Sequence, residues 1–114
     1  MTDCLFCKIR DGDIPADIVY QDDAVVAFND VNPVAPVHVL LIPKKHISTV
    51  NDVSAKEEAI MGKLFSAAKN IAEQLGVSDD GYRLVVNCNA NAGQVIFHIH
   101  MHMLAGRNMG WPPG

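Results

Sequence analysis

The sequence is poor in positive charge and has no long apolar run. Its 114 residues carry nine Lys and Arg against thirteen Asp and Glu, which gives a formal net charge of −4. The longest basic run is Lys44-Lys45, whereas nucleic acids and anionic membranes select clustered cations. No apolar stretch approaches the ~20 residues that span a bilayer, and the N-terminus lacks a hydrophobic signal core. We therefore expect a cytoplasmic protein without a nucleic-acid or membrane partner.

Cysteine is also scarce, and the chain has only Cys4, Cys7 and Cys88. An odd number of thiols in a cytoplasmic protein indicates reduced cysteines and not a disulfide framework. Stability must then come from an apolar core, which a composition of 49% hydrophobic and 19% charged residues allows. A chain of this length fits one domain, spanning residues 1–114.

The order of the predicted elements indicates an α+β domain. The clearest element is a long helix: Ser54 and Glu57 have the spacing of a capping box, and apolar residues recur every three or four positions from Ile60 to Leu75. Gly76 is placed to end it. We expect a five-stranded, mostly antiparallel sheet with its helices packed on one face. A short helix is predicted at 4–10, and strands are predicted at 18–20, 25–29, 38–43, 82–87 and 96–104.

Three histidines alternate with apolar residues in the last of these strands. His98, His100 and His102 are separated by one residue each, so in an extended segment they share one face at intervals of roughly 6.6 Å. Phe97 and the other intervening residues then face the core. Burying three imidazoles costs desolvation unless they find partners, and the strand holds no carboxylate. The pattern therefore predicts a functional site on a partly covered face.

Two kinds of chemistry fit these histidines. Two imidazoles one residue apart can chelate a metal ion, but His98 and His102 would lie about 13 Å apart along the strand, so one ion cannot use all three. Alternatively, a neutral imidazole attacks phosphorus to form a phosphohistidine. Neighbouring protonated imidazoles would then stabilise the phosphate oxygens and donate to the leaving group. The residues alone leave both chemistries open.

The segment His98-Ile-His100-Met-His102-Met-Leu104 fits the pattern His-φ-His-φ-His-φ-φ, with φ hydrophobic, of the histidine triad (HIT) superfamily. Further blocks extend the similarity over nearly the whole chain, which resembles the histidine triad nucleotide-binding protein branch. These blocks include Ile14-Pro15-Ala16, Phe28-Asn29-Asp30, Pro43-Lys44-Lys45-His46, Gly93-Gln94 and the terminal Trp111-Pro112-Pro113-Gly114.

The resemblance implies a homodimer whose sheets join into one ten-stranded sheet. It also implies hydrolysis of purine nucleoside phosphoramidates, such as adenosine 5′-phosphoramidate, and of related acyl-adenylates. By position in the motif, His100 is the nucleophile, His98 orients it, and His102 contacts the phosphate and assists the leaving group. His38 matches the family's fourth histidine, which supports the nucleophile from the neighbouring strand. The implied ligands are AMP, GMP or a phosphoramidate, and no cofactor is required.

The resemblance also assigns a nucleotide pocket. Asp30 corresponds to a carboxylate that accepts from the ribose hydroxyls, although an Asp in this sequence context is also a turn-former. Val95 stands where many relatives have a serine whose hydroxyl helps at the leaving-group side. The walls of the base site match five positions that can otherwise be plain core or loop: Leu5, Phe6, Phe28, Asn29 and Val31. The phosphate-side loop matches Asn87, Gly93, Gln94 and Val95.

A structural zinc site is a further candidate. Cys4 and Cys7 have ligand spacing, and related bacterial members are similar in carrying such a pair. In those members the histidine after Pro-Lys-Lys and the first triad histidine complete the set, which here means His46 and His98. The alternative is two small residues that pack a short helix.

Three functions therefore stand beside one another. The first is phosphoramidate hydrolysis, the second is a non-catalytic dimer that binds nucleotides or partners, and the third is a metalloprotein that uses the triad itself as ligands.

Overall fold

The computed structural model describes residues 3–114, so Met1 and Thr2 of the predicted domain lie outside the described residues. The described residues contain two α-helices and five strands. The helices are α1 (Leu5–Arg10) and α2 (Glu58–Gln74), and the strands are β1 (Ile18–Gln21), β2 (Val25–Asn29), β3 (Val37–Pro43), β4 (Tyr82–Val85) and β5 (Met101–Ala105). Short 3₁₀ turns occupy Val50–Asp52, Ala55–Glu57 and Ala90–Ala92.

The five strands form one sheet in the order β1-β2-β3-β5-β4, and every neighbouring pair is antiparallel. The long connection through α2 separates β3 from β4, and β5 then inserts between them. This arrangement confirms the predicted α+β domain with one five-stranded sheet, one long helix and one short helix. Among residues 3–114 there is no helix with the length and apolar character needed to cross a membrane.

The two helices lie on opposite faces of the sheet. Successive residues of a strand point to opposite faces. Leu41 belongs to the core beneath α2, together with Ile71, whereas Leu40 belongs to a second core with Phe6 of α1. The prediction that the helices share one face was therefore wrong. β2 and β3 are buried at almost every position, and strands apolar on both faces are covered on both.

The long helix begins as predicted. The N–H and hydroxyl of Ser54 donate to the Glu57 carboxylate over 2.9 and 3.0 Å, which forms one turn of 3₁₀ helix before α2. The Lys45 ammonium lies 2.8 Å from the same carboxylate and, with the Ser54 donors, lowers the pKa of Glu57 to about 2. Gly76 follows the helix with φ of +73°, a conformation that favours glycine.

The histidine-bearing strand is shorter than the predicted 96–104. β5 comprises only Met101–Ala105, so within the triad only His102 lies in a strand. Continued before Met101, the β3–β5 register would bring Ile42 opposite His100 and then Pro43 opposite Ile99, and proline has no N–H to offer a partner strand. The Ile99 N–H donates instead to the Ile47 carbonyl over 2.6 Å. His98 and His100 therefore lie outside the sheet, which the chain joins only at Met101.

Three positions expected in the core are partly exposed. Phe97, in the irregular segment before β5, is 47% exposed, and Leu75, at the C-terminal cap of α2, is 40% exposed. Phe65 is 58% exposed and borders a groove that also contains Val50 and Val86. The apolar face of α2 is thus wider than the sheet that covers it.

Candidate active site

His38 and His102 meet on the α1 face of the sheet. In the β3–β5 register His38 lies opposite Leu104, and Leu40 lies opposite His102, so the two histidines are diagonal neighbours. Nε2 of His38 lies 2.9 Å from Nδ1 of His102. The ring of His100 follows, with its centroid 5.1 Å from that of His102. These three imidazoles form one contiguous group.

The hydrogen bonds of His100 determine which nitrogen is nucleophilic. Its Nδ1 lies 2.8 Å from the main-chain carbonyl of His98. A carbonyl can only accept, so Nδ1 of the neutral ring carries the hydrogen and Nε2 carries the lone pair. The structure therefore presents Nε2 of His100 as the atom able to attack.

The ring of His98 does not share the surface of the other two. It is fully buried, and its Nε2 lies 2.8 Å from the Pro43 carbonyl, so Nε2 carries the hydrogen and Nδ1 the lone pair. The main-chain carbonyl of His98 contacts His100. The expectation that all three rings share one partly covered face of a strand was wrong, because residues 98–100 are not part of a strand.

Burial keeps these imidazoles neutral. Desolvation is the largest cause that lowers the pKa of His98 and of His102, each to about 4, and it also lowers the pKa of His100. The neighbouring His100 and His38 lower the pKa of His102 further. Because neutral rings carry a lone pair at pH 7, burial favours nucleophilic chemistry at His100.

Asp30 lies beside this group. One of its carboxylate oxygens is 3.4 Å from Nε2 of His38, and the other accepts the N–H of Asn32 over 2.8 Å. The second contact is that of a turn-forming aspartate. Asp30 can therefore be both a turn-former and the predicted ribose-binding carboxylate. One oxygen forms the turn, while the other faces the imidazoles.

A largely apolar cavity of about 630 Å³ adjoins the imidazoles. The ring of Phe6 connects the two, since it lies edge-on to Phe28 at 5.5 Å and to His100 at 5.0 Å between centroids. The lining includes all of the predicted wall residues, namely Leu5, Phe6, Phe28, Asn29 and Val31, and also Asp30. Sequence reasoning did not assign the other lining residues, among them Ile9, Ile14, Ala16, Asp17, Leu40 and Ile96.

Three of the lining residues belong to the motif Ile14-Pro15-Ala16. This motif was part of the family resemblance, but the resemblance assigned it no role. Asp17 also lines the cavity, and no motif in the sequence pointed to it. Its carboxylate accepts from the Asn29 amide over 2.7 Å.

The predicted phosphate-side loop is held by a buried glutamine. The side-chain oxygen of Gln94 accepts the Asn89 N–H over 2.8 Å, and its amide donates to the carbonyls of Ser48 and Ile96 over 2.8 and 3.1 Å. The main-chain N–H of Gln94 donates to the Asn89 carbonyl over 3.1 Å as well, so both the side chain and the N–H of Gln94 hold the loop. Gly93 has φ of +94°, which glycine adopts without strain.

The other two loop residues lie apart. Asn87 is half-buried just after β4. Val95 is 84% exposed and lines a shallow cleft next to the apolar cavity, with which the cleft shares Leu5 and Ile96.

Cys4, Cys7, His46 and His98 come together as one cluster, which we call the thiol–imidazole cluster. Nδ1 of His98 lies 3.4 and 3.5 Å from the two sulfurs and 3.2 Å from Nδ1 of His46. The Cys7 sulfur lies 3.3 Å from that same His46 nitrogen. In a tetrahedral zinc site, the S–N and N–N edges are about 3.6 and 3.3 Å. The donor set and its spacing therefore fit a zinc ion.

The described residues hold a second group with ligand spacing, formed by Asp30, His38 and His102. His98 and His102 thus belong to different groups, so the triad does not gather around one point. This geometry disfavours a metal centre made of the triad itself.

The fold and the site together define a class of protein: an α+β domain in which imidazoles on adjacent central strands meet Asp30 and Phe6, two residues that line an apolar cavity. The chain belongs to the HIT domain family, whose model matches residues 11–109. The predicted family is thereby confirmed.

Relatives are similar over almost the full length. The chain is 54% identical over 106 residues to the purine nucleoside phosphoramidase of Escherichia coli (strain K12), covering 93% of this chain and 89% of that protein. A HIT family hydrolase from Legionella pneumophila Philadelphia 1 superposes with a TM-score of 0.96 at 50% identity, covering 98% and 100% of the two chains. A histidine triad protein from Clostridium difficile gives 0.94 at 44% identity, covering 96% of each.

Proposed function

We propose that this protein is a hydrolase that cleaves the P–N bond of purine nucleoside 5′-phosphoramidates and releases AMP or GMP. The observation that carries the proposal is the lone pair on Nε2 of His100, directed by the His98 carbonyl and adjoining the apolar cavity. The 54% identity to a purine nucleoside phosphoramidase supports the same reaction.

The proposed reaction has two displacements at phosphorus. Nε2 of His100 attacks phosphorus and the P–N bond breaks, while the leaving nitrogen accepts a hydrogen bond from Nε2–H of His102 and takes a proton from water. The product is a nucleotidyl-histidine and a free amine. The hydroxide that remains then attacks phosphorus and displaces His100 with release of the nucleoside monophosphate. Each imidazole ends the cycle in its starting protonation state.

The nucleoside site is proposed to use both the cavity and the loop. Leu5, Phe6, Phe28, Asn29 and Val31 wall the base, and Asp30 accepts from the ribose hydroxyls. The phosphate is proposed to lie beside the loop that contains Asn87, Gly93, Gln94 and Val95. The wall is largely apolar, so the base is held by packing and both purines can enter.

We also propose the homodimer. β4 is an edge of the sheet, and pairing two copies of β4 would produce a continuous ten-stranded sheet. The apolar groove next to this edge includes Val50, Phe65 and Val86, which are 45%, 58% and 37% exposed. A cytoplasmic location is proposed on the charge and composition of the chain alone.

A fluorogenic adenosine phosphoramidate, assayed with a chelator present, tests the activity. We expect chelator-resistant hydrolysis, and a loss of about 10³-fold or more in His100→Asn while AMP binding by calorimetry persists. AMP binding without any turnover by the wild type would establish the alternative of a non-catalytic nucleotide-binding dimer. Turnover that stops immediately on adding chelator would favour a metal-dependent reaction.

We propose zinc as a structural ion of the thiol–imidazole cluster. When bound, it would supply a fixed point that joins α1 to the segment before β5, and it would take no part in the reaction. Metal analysis of untagged protein tests this, with Cys88→Ser as the control for loss of a thiol outside the cluster. About one zinc per chain is expected, and under ~0.1 rejects the site.

A further inference from the structure

His98 makes two contacts that point in opposite directions. Its buried ring directs Nδ1 into the thiol–imidazole cluster, and its main-chain carbonyl accepts the Nδ1–H of His100 over 2.8 Å. We propose that the thiol–imidazole cluster is a positioning device for the reaction, which holds the nucleophilic tautomer of His100 in place through His98. This proposal rests on the proposed function of the same site.

The first path from the cluster to the nucleophile runs through the irregular segment before β5. Residues 96–100 have left the sheet, so no strand ladder holds the carbonyl that His100 uses. Two other contacts replace the ladder. Nε2 of His98 donates to the Pro43 carbonyl, and the Ile99 N–H donates to the carbonyl of Ile47. His46 directly precedes Ile47 and, like His98, belongs to the cluster. The cluster therefore fixes both of the segments that meet at this junction, which are residues 46–47 and residues 98–99.

The second path runs through α1. Cys4 is the N-terminal cap of this helix and accepts the Cys7 N–H over 3.3 Å. Between them stand Leu5 and Phe6, which wall the apolar cavity. The Phe6 ring also packs edge-on against His98 at 6.0 Å and His100 at 5.0 Å. A six-residue helix is too short to be stable alone, so its contacts with the rest of the chain, the two cysteines among them, determine where the cavity wall stands.

The two paths predict different kinetic effects. His46 is exposed and does not line the cavity, so changing it should disturb the junction that orients His100 and lower kcat more than it raises KM. Cys4 and Cys7 hold α1 as well, so changing them should also weaken nucleotide binding. If the cluster only stabilised the fold, these changes would lower the folded fraction. They would not lower kcat selectively at His46 and also weaken binding at Cys4 and Cys7.

The test compares four variants in the full-length protein. His46→Gln removes a ligand, whereas His46→Cys keeps one, since three cysteines and one histidine also form a zinc set. Cys7→Ser removes a thiol of the cluster, and Cys88→Ser removes a thiol outside it. Each is measured for kcat, KM, AMP affinity by calorimetry, and the ¹⁵N shifts of His100, which report its tautomer.

We expect His46→Gln to lower kcat by about 10-fold or more, the range typical of residues that orient a reactive group, and to move the His100 shifts towards a mixture of tautomers. His46→Cys should recover most of both. Cys7→Ser should show the same shift change and a weaker affinity for AMP, while Cys88→Ser should match the wild type.

Wild-type ¹⁵N shifts of His100 in both His46→Gln and Cys7→Ser would overturn the proposal, whatever their activity. If Cys7→Ser does not fold, His46→Gln and its comparison with His46→Cys decide the question. If the wild type hydrolyses no phosphoramidate, the proposed function fails, but the shifts and AMP affinities still test whether the cluster positions His100.

Discussion

Nε2 of His38 lies 2.9 Å from Nδ1 of His102, and the direction of this hydrogen bond follows from a main-chain group four residues before His38. The Val34 N–H can only donate, so Nδ1 of His38 is an acceptor and Nε2 of the neutral ring carries the hydrogen. His102 must then accept at Nδ1 and hold its own hydrogen at Nε2. His38 therefore supports His102 directly, whereas the family resemblance assigns its support to the nucleophile.

Replacing His38 tests this relay. We expect His38→Leu to lower kcat by about 10- to 100-fold, because Nδ1 of His102 loses its donor and a desolvated acceptor left without a partner costs about 1–3 kcal/mol. AMP affinity should change less, since His38 does not line the cavity. His38→Gln keeps an N–H donor and should retain more activity than His38→Leu. Equal activity in the two variants would contradict the relay.

Val95 offers a test of leaving-group assistance. Val95→Ser should raise kcat/KM for some amidates by tenfold or less, on the order of 1 kcal/mol for one added hydrogen bond. The side chain is 84% exposed, so the new hydroxyl costs little stability. Val95→Thr has nearly the shape of valine and should show the same gain, whereas Val95→Ala should not. An unchanged or lower value in both hydroxyl variants would refute this role.

The lowered imidazole pKa values predict the pH dependence of activity. His100 attacks as the neutral ring, and burial lowers the pKa of His100 and brings that of His102 to about 4. Protonation of the free enzyme therefore begins only below the usual histidine range. We expect kcat/KM to be flat around neutrality and to fall only below about pH 6.5, the ordinary pKa of histidine. An acid limb centred above that pH would count against buried, neutral imidazoles.

The same shift affects stability. The folded pKa of His102 lies below its unfolded value, so the unfolded chain binds more protons between the two. The resulting stability is present above about pH 6.5 and is lost as pH falls towards about 4. Urea unfolding across this window should show a falling free energy of unfolding, with a smaller slope in His102→Gln. A slope that is unchanged in this variant would assign the effect to other groups.

Three glycines predict a graded series of alanine substitutions. Gly62 lies inside α2 with open space where a Cβ would stand, so Gly62→Ala should stabilise by about 0.5–1 kcal/mol. Gly76 has open space but φ of +73°, so alanine there should cost about 1–2 kcal/mol. Gly106 has φ of +92°, and a Cβ would lie 2.7 Å from Cβ of Pro36, so Gly106→Ala should cost the most. Urea unfolding measures all three, and any other order would show that the backbone relaxes at Gly106.

Much of the fold was predictable because its signals are local. The capping residues Ser54 and Glu57 are three positions apart, and the strands β2 and β3 end where Asn29 and Pro43 stand. The length of β5 was not predictable in this way. Whether residues 96–100 pair depends on the partner that β3 presents, and Pro43 cannot donate. The histidine alternation was correct as a pattern, but it could not show that the chain turns away from the sheet at His98.

By itself, the sequence determined the elements, the family, and the residue types of the site, since periodicity, caps and the spacing of three imidazoles are properties of neighbouring residues. Only the tertiary structure decided what each imidazole does. The tautomers of His38, His98 and His100 follow from main-chain groups of Val34, Pro43 and His98. Two of these hydrogen bonds depend on turns and chain crossings that the histidine pattern does not specify. The physical reason is that a neutral imidazole has one donor and one acceptor, and its surroundings choose between them.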